Sequence, residues 1–255
     1  MMLSVKSEAF IDNLRMYLMM SGKNEREIKE LIEELKDHLV EVEKSGRKIE
    51  DIIDLTPEQY MASLKKEMRT DYKHLFKLLP IFFLGVIAYF LMGPAIRGEF
   101  ALNIIQVIGF PIIAMFGLII YVSFLQKAGR KQYSNKKFFI GGMIASSIVT
   151  VTTVLLLVVS SILVDPFFIG DWITDLIVIL ICCCIFVTTA VWSKTWFPIW
   201  LPAILFIPDV VSRFSDWSVE RILIVQLASF VLMFVVLFLN LWREERRKKA
   251  KIIPK

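Results

Sequence analysis

The chain is 255 residues long, 56% hydrophobic and still 22% charged, with a mean hydropathy of +0.62. Its net charge of +5 divides unevenly, because residues 1–75 hold 13 basic and 16 acidic side chains and residues 76–255 hold 17 and 9. This excludes a single soluble globule, a disordered tail protein and a disulfide-built secreted module. It predicts an all-α protein: a small N-terminal helical domain of three to four helices over 1–75, a six-helix transmembrane bundle over 76–242, and a basic tail over 243–255.

Ser7 is placed to cap a first helix running to about Met20, with Phe10, Leu14, Tyr17 and Leu18 on one face and Gly22 ending it. Asn24 and Glu27 have capping-box spacing. The helix they open carries Ile28, Leu31, Ile32, Leu35, Leu39 and Val42 at i, i+3, i+4, i+7 intervals and stops at Ser45-Gly46. Its opposite face is acidic, with Glu30, Glu33, Glu34, Asp37 and Glu41. That face is a solvated surface or a dock for a basic partner, the chain's own tail included. Ile49, Ile52 and Ile53 suggest a short third element. Thr56-Pro57-Glu58-Gln59 then gives an N-cap, proline at N1 and glutamine at N3, a helix-start signal. No Gly or Pro separates Glu58 from Leu79, so that helix is expected to run unbroken into the first span as a mechanical coupler.

Ser7-Glu8-Ala9-Phe10-Ile11-Asp12-Asn13-Leu14, the Gly22 break, Glu34-Leu35-Lys36-Asp37-His38-Leu39 and Thr56-Pro57-Glu58-Gln59-Tyr60 together resemble the HAAS signalling domain. The resemblance covers about residues 5–70. It implies a small α-helical cytosolic domain of a bacterial membrane protein with a signalling or partner-binding role and no catalytic residues. A PadR-type regulator is the kind of associate it implies, and an ABC-type membrane protein is a further candidate partner. Within the resemblance, Glu34, Leu35, Asp37, His38 and Leu39 form the candidate partner-binding segment. Asp37 and His38 are adjacent on a helix and point about 100° apart, which argues against an acid–base dyad. The membrane region carries no comparable resemblance.

A span needs about 20 apolar residues. The runs meeting or approaching this are about 78–96, 103–125, 138–164, 174–193, 195–212 and 222–242. The fifth is short, holds Pro198, Pro202 and Pro208, and reaches sufficient length only by reading through Asp209. Charge decides that it crosses. With six spans and both termini cytoplasmic, 18 basic residues flank the inner side and three (Arg97, Arg213 and Arg221) the outer side. Trp172, Trp192, Trp196, Trp217 and Trp242 lie near span ends, where amphipathic rings anchor. The first apolar run begins near Leu78 behind a charged stretch, so no signal peptide is read.

Pro111 is expected to break or kink the second span. Gly141, Gly142, Ala145, Ser146 and Thr150 form a small-residue stripe suited to close packing, within the chain or in a homo-oligomer. Cys182-Cys183-Cys184 reads as apolar filler without a disulfide. Asp209, the candidate intramembrane functional residue, is either an interfacial helix-end carboxylate or a proton or ion site.

No HExxH, G-x-S-x-G or paired-acid motif accompanies the polar residues, so no catalytic, metal or cofactor site is read. The basic tail and flanks suit anionic lipid headgroups, about 1 kcal/mol per basic residue near the surface, and no recognition motif points to nucleic acid. The expected function is a non-enzymatic signalling or regulatory protein of the cell membrane. The alternative is a transporter or an accessory subunit of a transport system.

Overall fold

The structure, a computed structural model, describes residues 3–45 and 56–252, side chains at 5, 73–78 and 241–252 excepted. In chain order its elements are α1 (Val5–Met20), α2 (Glu25–Lys44), α3 (Pro57–Glu67), α4 (Tyr72–Arg97), β1 (Ala101–Leu102), α5 (Ile104–Arg130), α6 (Asn135–Leu163), β2 (Phe168–Ile169), α7 (Trp172–Ser193), α8 (Phe197–Leu205), α9 (Ile207–Phe214) and α10 (Val219–Ile252). Five helices are long and apolar enough to cross a membrane, and α8 with α9 makes a sixth span if that pair, bent by 41°, crosses as one. The chain is thus a multi-pass membrane protein. Among the described residues it departs from all-α by one antiparallel ladder, Ala101 opposite Ile169 and Leu102 opposite Phe168, and by an isolated bridge between Lys23 and Thr70. Two short loops form the ladder, and their lengths carried no strand signal. Pro111 does not end its helix, for α5 is continuous through it.

Two compact units are present, Met1–Pro80 with Pro111–Val159, and Ile81–Phe110 with Ser160–Lys255. In the first, the apolar stripes of α1, α2 and α3 close on one another around Phe10, Leu14, Leu18, Ile28, Leu39 and Met61, with Leu14, Leu18 and Met61 fully buried. Each such side chain contributes roughly 1.5–3 kcal/mol on burial. The cap of α1 is Ser4, whose hydroxyl accepts from Ser7 N–H, and not Ser7 itself. Ser7 lies one turn in, buried, and donates to Glu43 Oε1 at 2.6 Å while Ser4 N–H donates to Glu43 Oε2 at 2.9 Å. Those hydrogen bonds tie the start of α1 to the end of α2 and hold the Glu43 carboxyl below its ordinary range. Thr56 and Gln59 form the complete reciprocal capping box of α3. The element expected at Ile49, Ile52 and Ile53 and the stop at Gly46 lie outside the described residues.

The expected continuous helix into the first span is absent. α3 ends at Glu67 and α4 begins at Tyr72. The intervening backbone is held by the turn between α1 and α2, where Gly22 takes φ +68°. Lys23 Nζ donates to Met68 O (2.9 Å) and Thr70 Oγ1 (3.1 Å), Asp71 N–H to Gly22 O (2.9 Å), and Asn24 N–H to Arg69 O (3.4 Å). Glu27 accepts from Arg69 N–H at 3.3 Å instead of closing a capping box on Asn24. The absence of Gly and Pro left continuity open across Met68–Asp71, but Thr70 and Asp71 are weak helix formers and these tertiary hydrogen bonds hold the backbone out of a helix.

The same unit docks α1 and α3 on the basic end of α5. Gly129 and Ala128 are buried there, and a Cβ on Gly129 would stand 2.8 Å from Asn13 O and 3.1 Å from Tyr17 N. Gln126 Nε2 donates to Met20 O, and Arg130 Nε lies 2.9 Å from Glu58 Oε1. Farther along, the Gly141 end of the small-residue stripe packs within the chain against Phe124.

Candidate functional site

Five charged side chains meet in the second unit. The end of α4 supplies Arg97, the following turn Glu99, the first turn of α7 Asp175, and α9 both Asp209 and Arg213. Arg97 Nη1 pairs with Asp209 Oδ1, and its Nε with Glu99 Oε2 at 3.0 Å. Arg213 Nη1 pairs with Asp175 Oδ2 at 3.2 Å and reaches Ile96 O at 3.4 Å. The two pairs therefore fasten both halves of the short α9 segment, one to α4 and one to α7.

Local sequence explains the geometry. α4 ends at Gly98, which takes φ +78° and lets Glu99 N–H bond back to Pro94 O. A side chain at Gly98 would occupy the place of the Arg213 guanidinium. α7 is opened by Asp171, which accepts from Thr174 N–H at 2.9 Å and its hydroxyl at 2.7 Å. The Thr174 hydroxyl, then its amide, hold the Asp171 carboxyl below its usual range. One turn on, Asp175 sits where the positive end of the α7 dipole favours an anion. Pro208 in the first turn of α9 separates it from α8 at Phe206, so Asp209 and Arg213 leave a helix end rather than the middle of a straight span.

The pairs differ in burial. Asp175 has 5% of its side chain exposed and Arg213 31%, against 18% for Asp209 and 34% for Arg97. Asp175 Oδ1 is buried and has no hydrogen-bond partner among the described residues, so the carboxylate depends on one guanidinium. Nearby, Asn103 is buried and tethers the start of α5, accepting from Ile105 N–H at 2.8 Å and donating to Ser160 O at 3.0 Å and to Val164 O. Gln106 Nε2 donates to Ser160 Oγ at 2.9 Å.

The sequence singled out Asp209 and set it against Arg213, four residues on. The structure pairs Asp209 with Arg97 and Arg213 with Asp175, a residue at the head of the fourth apolar run. The Asp171 cap, with Asp175 one turn behind it at the head of an apolar run, was the available signal.

On α2, Glu34, Asp37 and His38 are exposed, as are Glu30, Glu33 and Glu41. Leu39 is buried in the core and Leu35 packs against it. The candidate segment therefore divides between an outward polar face and the inner stripe. Cys182 is buried and Cys183 and Cys184 are exposed on α7, all as free thiols.

Residues 89–205 match the family model described as the HAAS transmembrane region. No curated protein and no solved structure matches the chain. The similarity thus falls on the spans, where the sequence offered no resemblance, and supports a HAAS-related membrane protein. It leaves out residues 5–70, which carry the resemblance to the signalling domain. The matched stretch begins within α4 and ends with α8, so each of the two ion pairs made by α9 joins a residue inside it (Arg97 or Asp175) to one beyond it (Asp209 or Arg213).

Proposed function

We propose that this chain is a non-enzymatic membrane signalling or regulatory protein, with both termini in the cytoplasm and the exposed acidic face of α2 as the surface that meets a basic partner. The observation that carries this reading is the pinning of the Met68–Asp71 linker by the turn that opens α2. It joins the base of the first span to the helix bearing Glu34, Asp37 and His38. A PadR-type regulator or an ABC-type membrane protein is the class of partner to test.

Charge reversal at Glu34→Lys with Asp37→Lys leaves the core stripe intact, because both side chains are exposed. It is expected to abolish co-purification of a partner that the parent chain retains in low-salt buffer, with elution on size exclusion unchanged. Equal retention by parent and variant, or retention after removal of residues 1–70, defeats the reading.

A transporter or transport subunit is the second reading, favoured by the 41° break between α8 and α9 and by Asp209 beside it. For the signalling reading, Asp209→Asn is expected to leave ion and solute flux in proteoliposomes at the parent level and to loosen only the Arg97 pair. A flux that depends on Asp209 favours transport.

A further inference from the structure

A second polar site lies in the first unit, away from the ion pairs of α9. Lys65 of α3, Tyr17 of α1 and Ser123, Gln126, Lys127 and Arg130 of α5 line a cleft of about 180 Å³. Three cations converge there, and the acid alongside is Glu58, paired with Arg130. Lys65 Nζ stands 5.6 Å from the Tyr17 ring centre, resting on an aromatic face with no carboxylate paired to it among the described residues. Gln126 is committed to Met20 O. The lining residues bring hydroxyl, ammonium and guanidinium donors and no carboxylate of their own, Glu58 standing beside them on Arg130, and this is the composition that holds a phosphate group.

Its position selects the source of that phosphate. Ser123, Gln126, Lys127 and Arg130 are the last two turns of a membrane helix. At i−4, i−7 and i−11 from Ser123 along the same helix face stand Ile119, Phe116 and Ile112, which are 56%, 46% and 62% exposed. A headgroup in the cleft would leave its acyl chains along this apolar track, whereas a free anion would gain nothing from it.

We propose that this cleft is a specific site for the phosphate headgroup of an anionic phospholipid, seated between the N-terminal helices and the basic end of α5. Such a lipid joins Lys65 of the helical domain to Lys127 and Arg130 of the span through one bridging anion. The inference stands apart from the signalling reading, since it concerns lipid and not a protein partner.

Native mass spectrometry of the full chain in detergent tests it, with phosphatidylglycerol, phosphatidylcholine and inorganic phosphate as probes. The parent is expected to hold one phosphatidylglycerol about tenfold more tightly than phosphatidylcholine, and Lys65→Gln with Lys127→Gln to remove that preference. Lys136→Gln with Lys137→Gln, which takes the same charge from the neighbouring helix start outside the cleft, is expected to keep it. Inorganic phosphate is expected not to displace the lipid. Equal loss in both double variants reduces the effect to general basic charge and overturns the site, as does a parent with no headgroup preference. Displacement by inorganic phosphate overturns the lipid as its ligand. The parent comparison among the three probes decides the matter even if a variant fails to fold.

Discussion

Arg213→Gln is expected to be the most damaging single polar substitution in the second unit. It leaves the Asp175 carboxylate buried, with one oxygen already lacking a hydrogen bond and the other now deprived of its cation. Breaking a fully buried pair costs about 3–5 kcal/mol. Because Arg213 keeps 31% of its side chain exposed, water relieves part of this, and a loss on the order of 2–3 kcal/mol is expected. Thermal unfolding in detergent, followed by tryptophan fluorescence, reads it. Asp175→Asn added to Arg213→Gln removes the stranded charge and should recover at least half of the loss. Arg97→Gln should cost less, since Asp209 is the more exposed carboxylate. A stable Arg213→Gln protein, or a double variant no better than the single, would mean that Asp175 has another source of stabilisation.

Gly129→Val carries the second large effect. The new Cβ meets main-chain atoms of α1, Asn13 O and Tyr17 N, rather than a flexible side-chain end, so α1 has to retreat. Overpacking of this kind costs about 1–3 kcal/mol, and here it also moves Tyr17 and the Gln126 bond to Met20 O. Hydrogen exchange in α1 is expected to accelerate by about tenfold or more, each 1.4 kcal/mol of lost docking being one decade. Gly85→Ala serves as the control: nothing lies within 4 Å of its Cβ, and removing a helix-interior glycine should be neutral or stabilising by up to about 1 kcal/mol. Unchanged exchange in Gly129→Val would show that α1 does not depend on this contact.

Much of the fold was legible because burial periodicity is a local property. Phe10, Leu14, Tyr17 and Leu18, and Ile28, Ile32 and Leu39, are buried as their spacing predicted, while Leu31, Leu35 and Val42 of the same stripe are half-buried. The Thr56 box and the Gly22 stop are likewise written within a few residues. Five of the six apolar runs became single helices, and the proline-rich run became a bent pair. What escaped was tertiary. Nothing near Met68 announces that Lys23, 45 residues earlier, will take its carbonyl, and nothing near Arg213 announces Asp175 rather than the closer Asp209. The β1–β2 ladder is also set by two loops meeting, over lengths too short for an alternation to be read. Ser4 rather than Ser7 is the cap because the helix already begins at Val5, which leaves the Ser7 hydroxyl to reach Glu43 across the bundle. The small residues of α6 were assignable to packing, but the identity of their neighbour, Phe124, was not.

The bridge between Lys23 and Thr70 has a mechanical consequence. A four-residue stretch with free backbone groups would act as a swivel, letting the helices before it turn independently of the span behind it. Here Met68 O, Arg69 O and the amides of Arg69 and Asp71 are held by the start of α2 and the turn before it, which ties the stretch to that turn within the first unit. A shift of the turn that opens α2 is therefore expected to be felt first by the four residues that precede α4.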